Sequence, residues 1–144
     1  MLTYKHAAIA KENNPGYRDF RNRPTTLTEA EQSYFWQTVA QVLAATGIEI
    51  PVYMCDQESF PGSRGDALGI HWRSVEGNDE FITIDNYFIH ESYEVAFNGA
   101  YDLNNGETLA SVICHELAHI RYQRHTKYHA ALTAQYIAMV EMAA

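Results

Sequence analysis

The sequence predicts an α+β domain with a long N-terminal helix, a small and mostly antiparallel three-stranded sheet, a second helix bearing a histidine pair, and a C-terminal helix. Three observations predict it. Apolar residues recur at helical spacing over residues 28–46, 107–120 and 127–142. Three short runs, 48–55, 68–73 and 80–85, read as strands, and turn-rich stretches separate them. With 144 residues, 47% of them hydrophobic, the chain can build one core and reads as a single domain over 1–144.

Residues 1–10 suit a short helix or a strand equally well. The next stretch, KENNPGYRDFRNRPTT over 11–26, is polar, holds Pro15-Gly16 and Pro24, and reads as a surface loop. Its basic residues Lys11, Arg18, Arg21 and Arg23, beside Tyr17 and Phe20, read as a solvated segment. Thr28 followed by Glu31 is a capping-box signature. Tyr34, Phe35, Val39, Val42 and Leu43 form the apolar stripe of the helix that follows, and Gly47 ends it. Such a helix covers one face of the sheet. Between the strands, PGSRG at 61–65 and EGND at 76–79 are turn chemistry, and the second joins 68–73 to 80–85 as an antiparallel hairpin. Either strand of that hairpin can be the sheet's edge. Residues 87–106 carry Tyr87, Phe88, Tyr93, Phe97 and Tyr101, which either roof a cleft or seal the core. The core reading is the stronger, because aromatic clusters are first of all packing material.

The chemistry is concentrated in ETLASVICHELAHIRYQRH, residues 107–125. Leu109, Val112, Ile113, Leu117 and Ile120 mark a helix, with Asn104 or Asn105 and Glu107 as its start. His115 and His119, four apart, stand one turn above the other on one face and can hold a metal ion between them. Neutral imidazoles suit zinc, one ion per chain, and three protein ligands leave a position for water. Glu116 lies about 100° round the helix from His115, within reach of that water but not of the metal. That arrangement fits metal-assisted hydrolysis, with Glu116 as general base and then acid. His125 is the expected third ligand, with His129 or Glu141 as alternatives. A straight helix would point His125 away, so the chain must leave the helix between about Tyr122 and Arg124, and Thr126 then caps the final helix.

His115-Glu116-Leu117-Ala118-His119, five residues, His125 and the hydroxyl at Thr126 resemble the small zinc-peptidase domains of the SprT-like and WLM/YgjP-like families, the compact end of the gluzincins. The resemblance is specific over about twenty residues. It implies a zincin-like fold, zinc held by His115, His119 and His125, and Glu116 as general base. The family usually has a bulky aromatic four residues after the third ligand, where this chain has His129. A metzincin is disfavoured, because Tyr122 stands where that class turns through glycine. Ribosomal RNA maturation proteins share the histidine spacing but have no glutamate at position 116.

Several roles are less determined. Tyr122 or His129 could stabilise a developing oxyanion, Tyr122 only if the helix persists that far, and Tyr128 is a further candidate. His6, His71 and His90 read as ordinary isolated histidines, and Cys55 and Cys114 as two buried thiols. The expected partner is a protein or peptide substrate, paired as an extended strand with the sheet edge. A net charge of −8 argues against strong direct nucleic-acid binding, so any work near DNA would need a recruiting partner. There is no run as long as a membrane span and no secretory leader pattern at the start, which predicts a cytoplasmic protein. The alternative to a peptidase is a zinc-stabilised, non-catalytic module that docks a peptide or partner strand.

Overall fold

The computed structural model describes residues 16–18, 24–56, 67–73, 80–101 and 104–144. Its α+β architecture follows the predicted order, and the described residues hold one helix that the sequence pattern did not suggest. The polar stretch read as a loop holds two short strands, β1 (Gly16–Arg18) and β2 (Pro24–Thr26), paired antiparallel. Residues 1–10 and the turns at 61–65 and 76–79 lie outside the described residues.

Helix α1 spans Glu29–Thr46 and opens on the expected capping box: Thr28 Oγ1 accepts from the Glu31 amide, and Glu31 Oε1 accepts from the Thr28 amide. Gly47 ends the helix at φ 71°, the left-handed position that glycine takes without a Cβ clash. The sheet consists of β3 (Val52–Cys55), β4 (Gly69–Trp72) and β5 (Phe81–Asp85) in the order β3-β5-β4. It is mixed rather than mostly antiparallel. β4 and β5 form the expected antiparallel hairpin, but β3 runs parallel to β5. β5 takes the centre, which among the described residues leaves β4 at one edge.

Alternation divides the sheet's two faces. Val52, Met54, Ile82 and Ile84 join Phe35, Val42, Phe88, Ile113 and Leu117 in the main core. Cys55, Trp72 and Phe81 form a smaller cluster, flanked by Tyr53 and Ile70, and Trp72 Nε1 donates to Thr83 Oγ1 at 2.9 Å.

Residues 86–98, assigned to no element by their sequence pattern, form helix α2 (Asn86–Asn98). It starts directly from β5: Asp85 caps it by accepting from the Phe88 amide, and Gly99 closes it at φ 65°. Phe88 and Ile89 are fully buried, so the core reading holds for that turn. Tyr93 and Phe97 pack edge-on against Tyr34 of α1, while Tyr101 is exposed. Ser92 ties three helices together. Its Oγ meets the Tyr34 hydroxyl at 3.1 Å and accepts from the Leu109 amide, an orphan donor in the first turn of α3 (Leu109–Ala118). The cap of α3 is Thr108, not Asn104 or Asn105, and it forms a capping box with Ser111. Helix α4 (Lys127–Ala143) starts at the expected Thr126 cap and packs on α3 and α1. Among the described residues no helix is long and apolar enough to cross a membrane.

If α2 is a core helix, truncating its buried ring and its outer ring should have unequal costs. Phe88→Ala should cost about 3–5 kcal/mol and Phe97→Ala about 1 kcal/mol, read as shifts in urea midpoint at constant slope.

Candidate metal centre

The site begins where α3 ends. Its last turn tightens, with the His119 amide turning to the Glu116 carbonyl at 3.1 Å and the Ile120 amide to that of Leu117 at 3.1 Å. The chain thus leaves the helix at Ala118, about four residues earlier than the histidine spacing alone required. A turn through residues 119–122 then carries it back toward α4. Tightening deprives the His115 carbonyl of its usual amide four residues on. His129 replaces that partner, its Nε2–H donating to the His115 carbonyl at 3.0 Å.

Three imidazoles converge as a result. Nε2 of His115 stands 3.1 Å from Nε2 of His125 and 3.2 Å from Nε2 of His119, and the latter two are 3.1 Å apart. Nitrogens bound tetrahedrally to zinc at 2.0–2.1 Å stand about 3.3 Å from one another, so this triangle is within a few tenths of an ångström of a metal-binding face. His119 Nδ1 lies 2.9 Å from the Tyr122 carbonyl, which can only accept, so Nδ1 carries the proton and Nε2 presents a lone pair. The residues fit a metal by donor type as well as by spacing.

Burial lowers the His115 pKa to about 4, aided by the neighbouring imidazoles of His129, His119 and His125. The His119 pKa is also lowered, by burial first, against the opposing hydrogen bond to Tyr122. Both rings therefore stay neutral at pH 7, the form that ligates. Glu116 is buried at 5% exposure, and its Oε2 lies 3.9 Å from His115 Nε2. Cys114, beside the first histidine, is buried with its thiol pKa raised to about 11, so it stays protonated.

His129 stands behind the triangle, 3% exposed, its ring stacked on His119 with centroids 4.1 Å apart. One of its nitrogens lies within 4.8 Å of ligand atoms of His115 and His119, so it is a fourth imidazole of the cluster. The 3.1 Å spacings favour His125 as third member, since the His129 Nε2 is held by a carbonyl. The Tyr122 ring packs on Tyr128, with centroids 6.1 Å apart, and the helix that would have kept Tyr122 on the metal face ends before it.

Glu31, His90 and Glu94 also bring three possible ligand atoms together. Here His90 Nδ1 hydrogen-bonds Glu31 Oε2 at 2.5 Å, too close for two ligands of one metal. That group ties α2 to the capping box of α1.

A cleft of about 670 Å³ opens over the triangle, lined on one side by His115, Glu116 and His119 and on the other by residues 67–73. The edge strand β4 is thus the wall facing α3. It approaches closely because residue 69 is glycine: a Cβ there would stand 3.1 Å from Glu116 Cγ, 3.1 Å from Val112 Cγ1 and 3.0 Å from Ile84 Cδ1. The aromatic residues 87–101 do not line this cleft. His71 does, although its isolation in the sequence marked it as ordinary. The period-two alternation from Gly69 was the available signal.

Comparison of the chain with protein-family models, with curated proteins and with solved structures finds no match.

Two outcomes are expected. Gly69→Ala should overpack the helix–strand contact and cost about 1–3 kcal/mol in chemical denaturation. In chelated protein the unfolded chain takes up a proton at His115 near pH 6.5 and the folded chain only near 4, so stability should fall as pH drops through that window. His115→Asn should flatten this part of the pH dependence in thermal melts.

Proposed function

We propose that this chain is a zinc-dependent metallopeptidase resembling the SprT-like and WLM-like gluzincins, cleaving peptide bonds in an extended protein or peptide segment. The observation that carries the reading is the triangle of Nε2 atoms at 3.1–3.2 Å, with the buried Glu116 carboxylate beside it in an open cleft. His115, His119 and His125 would hold one zinc ion per chain, and zinc bound there supplies Lewis-acid activation of water and of the scissile carbonyl.

The chain's own residues do the rest. Glu116 takes the proton of the attacking water and passes it to the leaving amine. Its burial between β4 and α3 keeps the carboxylate in one place. His119, held through Nδ1 by the Tyr122 carbonyl, keeps its other nitrogen turned to the triangle. β4, an edge strand along the cleft, can pair with an extended substrate through main-chain hydrogen bonds, which orients the scissile carbonyl.

One observation favours the non-catalytic module instead. His129 is a buried fourth imidazole, and four protein ligands would close the site, as structural zinc sites are closed. The visible spectrum of cobalt-substituted protein separates the readings, because added acetohydroxamate perturbs only a site with an exchangeable position.

Untagged protein purified without chelator should contain close to one zinc per chain by elemental mass spectrometry, and His119→Ala should contain almost none. Glu116→Ala should keep its zinc and lose about 10²- to 10⁴-fold in cleavage rate on unfolded casein. A Glu116→Ala enzyme as fast as wild type would rule the mechanism out.

A further inference from the structure

The tetrahedral oxygen formed during peptide hydrolysis needs a donor on the wall opposite Glu116. We propose that His71 is that donor and that Glu80 positions it; this rests on the peptidase reading above. His71 sits on β4 two residues beyond Gly69 and therefore on the same strand face, the one that abuts Glu116. It lines the cleft together with His115, Glu116 and His119.

The ring is held rather than loose. Its side chain is 6% exposed, and its Nε2 is 2.8 Å from Glu80 Oε2 at the start of the neighbouring strand. An ionised carboxylate only accepts, so the Nε2 proton belongs to that bond. Nδ1 is the nitrogen left for substrate. In the imidazolium form it carries a proton for an oxygen in the cleft, while the Glu80 carboxylate offsets the positive charge.

The other candidates are engaged elsewhere. The Tyr122 ring packs on Tyr128, and the His129 Nε2–H is given to the His115 carbonyl. Arg73 and Gln123 also reach the cleft, but both are exposed. A donor on the rigid edge strand has a further advantage. The main-chain pairing that seats an extended substrate on β4 also sets its carbonyl against the strand's own side chain.

The test uses a tetra-alanine phosphinic peptide, whose tetrahedral anion imitates the reacting centre, with affinity read by calorimetry on zinc-loaded protein of verified metal content. His71→Ala should keep its zinc and melting temperature and bind this probe about 100-fold more weakly. His71→Asn, whose amide nitrogen can stand near the place of Nδ1, should recover most of the loss. Glu80→Gln should weaken binding in the wild-type background and do nothing in the His71→Asn background, since a positioning residue acts only through the ring it holds. Wild-type protein that binds the probe while His71→Ala binds it equally well overturns the role of His71 and leaves the peptidase reading intact. Zinc-loaded wild type that ignores the probe overturns both.

Discussion

The termination of α3 at Ala118 is the constraint on which the site depends. A helix continued through residue 125 would carry His125 away from His115 and His119, and no side-chain rotation would recover the distance. The tightened last turn, in which the His119 amide bonds to Glu116 rather than to His115, releases the chain early enough for His125 to return. Two carbonyls at this turn then organise the cluster. That of His115 receives His129 from α4, and that of Tyr122 receives Nδ1 of His119. Each hydrogen bond orients an imidazole, and the one to His115 also satisfies a helix-end carbonyl.

Electrostatics makes such a cluster costly without a cation. Two imidazole nitrogens that both present lone pairs at 3.1–3.2 Å repel, and burial disfavours protonating His115 or His119 to relieve the repulsion. The Glu31–His90 pair, 2.5 Å apart, instead joins two helices through a carboxylate–imidazole hydrogen bond. Around this centre the fold is economical in its supports. Ser92 links α1, α2 and α3 through two hydrogen bonds, and Gly69 lets the edge strand lie against the carboxylate of Glu116.

Much of the fold was legible locally. The capping box at Thr28, the left-handed Gly47 and the Thr126 cap act within a few residues of themselves, so sequence spacing reveals them. Helix α2 was not, because its aromatic residues have modest helix propensity and its start adjoins a strand without a linker. Its helical state is set by burial of Phe88 and Ile89 beneath α1 and α3, a tertiary effect. The parallel pairing of β3 with β5 was hidden for a similar reason: a strand's own pattern states which face is buried, not which neighbour it takes.

The sequence by itself determined the α+β class, from its helical and strand periodicities, and the placing of His115 and His119 on one helical face beside Glu116, which follows from the 3.6-residue period. Only the tertiary structure decided that His125 closes the triangle while His129 is drawn to a backbone carbonyl, that β4 is the strand facing α3, and that His71 belongs to the cleft. Those outcomes depend on strand order and on hydrogen bonds between residues far apart in the chain, which no local pattern encodes.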